Sequence, residues 1–275
     1  MKRAVIFAHF DPHGEVPAHT RRLIELLRRR SQRFILVSTG LSADCARTLP
    51  DDIEVIIRDN VGYDFMSYKS GWQRLGDTTA FDEVLIVNDS IYLAEPARLE
   101  QTLADLEKRD VDAWGLTASQ EGGFHLQSFF FGFRRRALSH SCLADFWDRV
   151  EVLQNKQDII RRYEKGLSQT LLANGLQVEA AYLGNSTRAL FLMAQRKAQG
   201  QPVRTLLLMI RTLLQPQRRG NPMHFLWDQV LLRQGILKLE LLKRNPRGID
   251  LRTLEQGLSA TGLQALQDAR IAWQK

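Results

Sequence analysis

Cysteine is almost missing from this chain. Only Cys45 and Cys142 occur in 275 residues, nearly a hundred positions apart and without a CxxC or Cys/His spacing. That argues against a disulfide framework and a zinc site, and it suits a reducing cytoplasm. Long hydrophobic runs are missing too: no segment approaches the roughly 18 uninterrupted apolar residues of a membrane span. The apolar start Ala4-Val5-Ile6-Phe7-Ala8 is broken at His9 and Asp11, which is too short for a signal peptide. Gly-x-Ser-x-Gly, Gly-x-x-x-x-Gly-Lys-Ser/Thr and Gly-x-Gly-x-x-Gly are all absent, so serine hydrolases, P-loop proteins and dinucleotide-binding enzymes lack their fingerprints. There is no internal repeat, low-complexity linker or clear domain boundary.

What is present is an ordinary globular composition, 44% hydrophobic and 25% charged, with a formal charge of +7. A net positive field gathers phosphates and acidic lipids. The basic groups Arg28-Arg29-Arg30, Arg134-Arg135-Arg136 and Arg218-Arg219 are small and carry no aromatic interleaving, so nucleic acid is not expected as a partner.

Patterning alternates between strand and helix. Residues 4–8, 34–38, 53–57 and 84–87 read as buried strands, with helices expected over 17–30, 66–75 and 97–108 and extended chain over 111–117. This rhythm implies a mostly parallel sheet flanked by helices. Further on, 125–133 suits a strand, 137–153 and 158–173 suit helices, and 178–182 a strand. The segment 203–214 is strongly apolar with Arg204, Arg211, Arg218 and Arg219 around it. It reads either as an amphipathic helix for the headgroup region of an anionic membrane or as a core helix with basic ends.

Three strand ends carry polar groups. Asn88-Asp89-Ser90 follows the aliphatic run 84–87, His9-Phe10-Asp11 follows the first strand, and Asp59-Asn60-Val61-Gly62-Tyr63-Asp64 follows the third. Ligands of open α/β sheets bind at such carboxyl ends. Gly62 permits positive φ, Tyr63 offers a ring for stacking, and Lys69 lies one or two turns into the next helix, within reach of a phosphate. Asp89 can share a divalent cation with phosphate oxygens, and the same Asn-Asp-Ser is equally a turn and cap. By residue type alone, Asp11, Asp64 and Asp89 could also serve a paired-carboxylate hydrolase.

The blocks Phe7-Ala8-His9-Phe10-Asp11, Asn60-Val61-Gly62-Tyr63-Asp64, Leu85-Ile86-Val87-Asn88-Asp89-Ser90, Trp114-Gly115-Leu116-Thr117, His125-Leu126-Gln127-Ser128-Phe129 and Asn221-Pro222-Met223-His224-Phe225-Leu226-Trp227-Asp228 occur in one order over positions 4 to 246. In that order and character the chain resembles the rhamnan synthesis protein F family. The resemblance implies a GT-A-like α/β fold, with one glycosyltransferase-like domain over 1–246 and a helical tail over 247–275. Within that domain it implies a nucleotide-sugar half over about 1–120 and an acceptor half over about 121–246. It further implies transfer of a sugar, rhamnose above all, from a donor such as dTDP-rhamnose to a lipid-linked glycan of a cell-surface polysaccharide or lipopolysaccharide. A cytoplasmic enzyme, peripheral on the anionic inner face of the membrane, fits that role. His9, Asp11, Asn60, Gly62, Tyr63, Asp64, Lys69 and Asn88 are then donor-binding candidates. Asp89 is the candidate ligand for Mg²⁺ or Mn²⁺, at the place of an Asp-x-Asp motif of which this chain has one Asp. For an inverting transfer Asp228 is the candidate base, with His224 four positions before it on a helix expected from Pro222. Glu121 and His125 are reserve candidates for the base or for acceptor contacts, and Gln127 and Trp227 are candidates for acceptor contacts. A different class of reading is a non-catalytic subunit that docks on a membrane-associated synthase.

Overall fold

The computed structural model describes residues 1–246, 248 and 251–273. Its strands are β1 (Arg3–His9), β2 (Arg33–Ser38), β3 (Ile53–Ile57), β4 (Glu83–Asn88), β5 (Ile91–Leu93), β6 (Ala113–Ser119), β7 (His125–Leu126), β8 (Phe130–Arg134), β9 (Val178–Tyr182) and β10 (Ile236–Lys238). The chain forms two compact units, each gathered from three segments. The first holds Met1–Asp89, Asp110–Gly115 and Ser128–Glu179; the second holds Ser90–Arg109, Leu116–Gln127 and the described residues from Ala180 onward. Each unit draws on sequence from both sides of position 120.

In the first unit the strand order is β3-β2-β1-β4-β8-β6. β1, β2, β3 and β4 are mutually parallel, whereas β8 runs antiparallel to β4 and β6 antiparallel to β8. β1 and β4 are buried along their whole length, as a strand covered on both faces must be. Helix Tyr63–Leu75 lies directly on β1: a Cβ at Gly71 would stand 2.3 Å from Ile6 Cγ2, so only glycine allows this approach. The far side of the same helix feeds an aromatic cluster in which Trp72 stacks on Trp147 at 5.5 Å and Phe65 meets Tyr163 at 5.4 Å. At the opposite end of the sheet, the fully buried Glu83 carboxylate accepts from Arg3 Nε at 2.6 Å and from Trp114 Nε1 at 2.8 Å, tying β1, β4 and β6 together.

The second unit contains the antiparallel pair β5–β10 and the outer part of β6 paired with β7. Its core gathers Tyr92, Trp227, Leu231, Leu237, Leu241, Leu254 and Leu266. The tail expected to be helical contains helices Leu251–Gln256 and Ala260–Trp273, and Leu254 and Leu266 bury fully in that core. Ser259 donates to the Glu95 carboxylate through both its amide (2.6 Å) and its hydroxyl (2.9 Å), which fixes the turn between the two helices.

The α/β class and the parallel strands stand where patterning places them. Three later elements are broken. The strand expected over 125–133 is interrupted between β7 and β8, where the chain leaves one unit for the other. The helix expected over 137–153 is two helices, Arg135–Leu138 and Ser141–Asp148, because the His140 ring accepts the Cys142 amide at 3.2 Å and starts a new helix. The helix expected from Pro222 divides into Pro222–Phe225 and Trp227–Gln234 at Leu226, whose φ of −127° is not helical. His224 and Asp228 therefore do not share one helical face.

Candidate functional site

The parallel strands β1, β2 and β4 end on one edge, with Ala8 level with Asn88 and His9 level with Ser38. Beyond them, in the first unit, lies a cleft of about 280 Å³ lined by Ala8, His9, Phe10, Thr39, Asn60, Tyr63, Asp64 and Ser67. That volume is near the lower end of small-ligand pockets, and the lining mixes rings with polar groups. Phe10 and Tyr63 are about half exposed at 49% and 47%, so two aromatic faces are open to solvent here.

The loop after β3 builds one wall. Gly62 has φ 74° and Tyr63 φ 56°; a tyrosine in the left-handed region is strained, and such strain persists only where the surroundings enforce it. A Cβ at Gly62 would approach Met66 Cγ to 2.3 Å. Arg58 holds the loop, donating to the Val61 carbonyl and, at 3.0 Å, to the Ser67 hydroxyl. Asp64 and Ser67, three apart on the helix that follows, face one side, as the 3.6-residue turn requires.

His9 is 2% exposed. Its Nδ1 lies 2.9 Å from Ser38 Oγ, which also accepts the Leu41 amide at 3.2 Å. The hydroxyl proton of fully buried Ser38 is satisfied when it donates to Nδ1, and this puts the ring proton on Nε2. Nε2 has no hydrogen-bond partner among the described residues. Burial, with a smaller push from Arg21, lowers the imidazole pKa to about 4 against the opposing pull of Asp11 and the Glu15 backbone. The ring is neutral at pH 7.

Asp64 lines the cleft and is exposed, with protein packed close around its carboxyl. Lost solvation raises its pKa, only partly countered by the Asn88 amide, which donates to Oδ2 at 2.8 Å, and by Lys156; Glu164 adds to the rise. Asp89 Oδ2 accepts the Phe10 amide at 2.8 Å, holding the end of β4 to the loop after β1. Burial, and after it the charges of Asp64 and Asp89, disfavour ionisation of Tyr68, whose hydroxyl donates to the Ser128 carbonyl at 2.7 Å. Two carboxylates thus bear on one small region. Among the described residues no three His, Cys, Asp or Glu side chains are grouped to hold a metal by themselves. The donor set fits a hard cation that takes one or two carboxylates and completes its shell with phosphate and water.

His9, Asn60, Tyr63 and Asp64 line this one cleft, and Gly62, Asn88 and Asp89 adjoin it by chain or hydrogen bond. Asp11 instead closes its own turn, accepting the amides of His13 at 2.9 Å and Glu15 at 3.3 Å. Lys69 Nζ donates to the carbonyls of Asp148 (2.9 Å) and Val150 (2.7 Å), so its charge closes the end of helix Ser141–Asp148. Sequence reasoning passed over Thr39, Ser67 and Arg58. The signal for Ser67 was its spacing from Asp64; Arg58 shows only as a cation directly after a strand.

The remaining candidates belong to the second unit. Asp228 accepts two hydrogen bonds from Arg196, at 2.8 and 2.9 Å, which orients the carboxylate. His224 Nε2 lies 3.9 Å from Glu240. Trp227 is buried with the Arg196 guanidinium 5.7 Å from its ring. Glu121 lies exposed in the turn joining β6 and β7, whose Gly122 and Gly123 have φ of 70° and 110°. His125 contacts the Gly123 carbonyl at 2.9 Å through Nδ1, and Gln127 Oε1 accepts the Thr117 hydroxyl at 2.7 Å.

Over 200 residues the chain is 28% identical to virulence protein VirA of Vibrio anguillarum, a match covering 70% of this chain and 63% of that protein. A 135-residue match, 30% identical, to the uncharacterized protein y4gN of Sinorhizobium fredii covers 46% of this chain and 34% of the relative. The chain thus spans less than two thirds of these curated relatives. Among solved structures, a Desulfovibrio desulfuricans protein described as a nucleotide-diphospho-sugar transferase matches 80% of this chain and 100% of its own, at 16% identity and a TM-score of 0.41. The galactosyltransferase LgtC, solved with donor and acceptor sugar analogs, matches 60% and 71% at 16% identity and a TM-score of 0.34. The family model of rhamnan synthesis protein F matches residues 34–195, more than half of the sequence, and the chain belongs to that family.

Proposed function

We propose that the cleft of the first unit binds the nucleotide diphosphate of an activated sugar and that the protein is a glycosyltransferase of GT-A type. The family's name favours rhamnose as the sugar, and the proposed acceptor is a growing cell-surface glycan carried on lipid. The observation that carries this reading is the convergence of His9, Asn60, Tyr63 and Asp64 on one cleft, with Asp89 pinned beside it by the Phe10 amide.

Each group has a chemical task. Tyr63 and Phe10 offer rings for a nucleobase, and stacking needs no particular base edge. His9, neutral at pH 7, supplies an uncharged Nε2 donor, while the hydroxyls of Thr39 and Ser67 and the Asn60 amide suit ribose and phosphate oxygens. Asp64 and Asp89 would hold Mg²⁺ or Mn²⁺, which would supply positive charge opposite the departing diphosphate. An inverting transfer also requires a base for the acceptor hydroxyl. Asp228, oriented by its two hydrogen bonds from Arg196, is the proposed residue.

Thermal unfolding with dTDP, UDP, GDP and their sugars, with and without Mn²⁺, tests the donor site. A ligand at about a hundred times its dissociation constant adds about 2.7 kcal/mol, a midpoint shift of several degrees. Asp89→Ala is expected to remove the Mn²⁺-dependent part; a full metal response in that variant takes Asp89 out of the site. Turnover of dTDP-rhamnose with a lipid-linked acceptor distinguishes an enzyme from a docking subunit. Asp228→Asn should then lower kcat at least a hundredfold with the fold kept, and loss of the fold instead would mark the Arg196 pair as structural.

A further inference from the structure

Helix Pro202–Leu214 of the second unit is turned inside out. Its buried residues are Thr205 and Thr212, 6% and 2% exposed, while Val203, Leu206, Leu207, Ile210, Leu213 and Leu214 are between 46% and 78% exposed. The threonines can face protein because each hydroxyl is satisfied within the helix, on the carbonyls of Gln201 (2.8 Å) and Met209 (2.9 Å). At about 100° per residue the six outward side chains fall in an arc of about 120° opposite the threonines, with Arg204 and Arg211 together along one border. A continuous apolar stripe of this kind on a protein surface marks a contact site.

Charge says what covers it. From Ala180 to Trp227 there is no Asp or Glu, and seven Lys and Arg residues give this stretch a charge equal to that of the whole chain, +7. Arg204, Arg211 and Arg218 are exposed and form no ion pair among the described residues. Two copies packed through this face would bring these cations together. A surface of anionic lipid offers hydrocarbon to the stripe and phosphate to its border. No described helix is long and apolar enough to cross a membrane.

We propose that this face seats the helix in the plane of an anionic bilayer, with the leucines in the acyl boundary and the arginines on lipid phosphates. The proposal does not depend on the sugar-transfer reading, since it concerns the second unit alone. Co-sedimentation of the full chain with phosphatidylcholine vesicles, with and without 30 mol% phosphatidylglycerol, tests it. Binding to the anionic vesicles should weaken at least tenfold in 0.5 M NaCl, in Arg204→Ser/Arg211→Ser and in Leu207→Glu/Ile210→Glu, with neutral vesicles bound weakly. All these side chains are exposed, so circular dichroism and the response to nucleotide should match wild type. The proposal is overturned by wild-type protein that stays in the supernatant, by a Leu207→Glu/Ile210→Glu variant that binds normally, or by a solution dimer that this variant dissolves without any vesicle binding.

Discussion

The imidazole of His9 links the cleft to pH. Its folded pKa near 4 lies below the ordinary 6.5, so between these values the unfolded chain binds the extra proton and the folded one does not. This contribution to stability is complete above pH 6.5, declines as pH falls and is gone below about pH 4, a loss of about 3 kcal/mol. Chemical denaturation across pH 4 to 7 should therefore give a flatter profile for His9→Gln than for wild type, and equal slopes would remove His9 as the cause. Asp64 is exposed at the same cleft. Asp64→Asn keeps an acceptor for Asn88, so it should keep the fold while losing the Mn²⁺-dependent response to nucleotide. A variant that keeps the full Mn²⁺-dependent response contradicts the role given to this carboxylate. The sequence brought His9, Tyr63 and Asp64 to notice because polar groups followed apolar runs. It did not show that Lys69 turns to the Asp148 and Val150 carbonyls, because the sequence distance between them hides the contact.

Among the elements, the sheet of the first unit hangs on a buried ion network. Arg3 is 3% exposed and Glu83 fully buried. Glu83→Gln leaves a buried guanidinium without its charge partner, and removing one member of such a pair costs about 3 to 5 kcal/mol. Urea unfolding should show that loss at pH 7, with Arg3→Met/Glu83→Leu recovering part of it; an unchanged Glu83→Gln midpoint would mean that the network adds little. The parallel strands were legible because residues buried on both faces read as unbroken aliphatic runs. The helices Ser141–Asp148 and Trp227–Gln234 were not, since one begins on a histidine cap and the other at a single non-helical residue. Apolar periodicity carries across both breaks without a sign. β5 and β10, three residues each, are too short to show a period.

For the molecule as a whole, family and fold class were readable because several motif blocks and the strand order extend over most of the chain. The grouping into units was hidden: segments 90–109 and 116–127 join the C-terminal part through contacts far apart in sequence. The outward direction of the Pro202–Leu214 stripe was equally hidden, because periodicity gives the width of an apolar face and not what lies against it. The whole account rests on the first unit holding a nucleoside diphosphate. Titration calorimetry of dTDP, UDP and GDP into the full chain with Mn²⁺ addresses that directly. The expected result is saturable binding of at least one of them at one site, weakened at least tenfold by Tyr63→Ala and by Asp89→Ala; no heat from any of the three, or affinities unmoved by both substitutions, would contradict it.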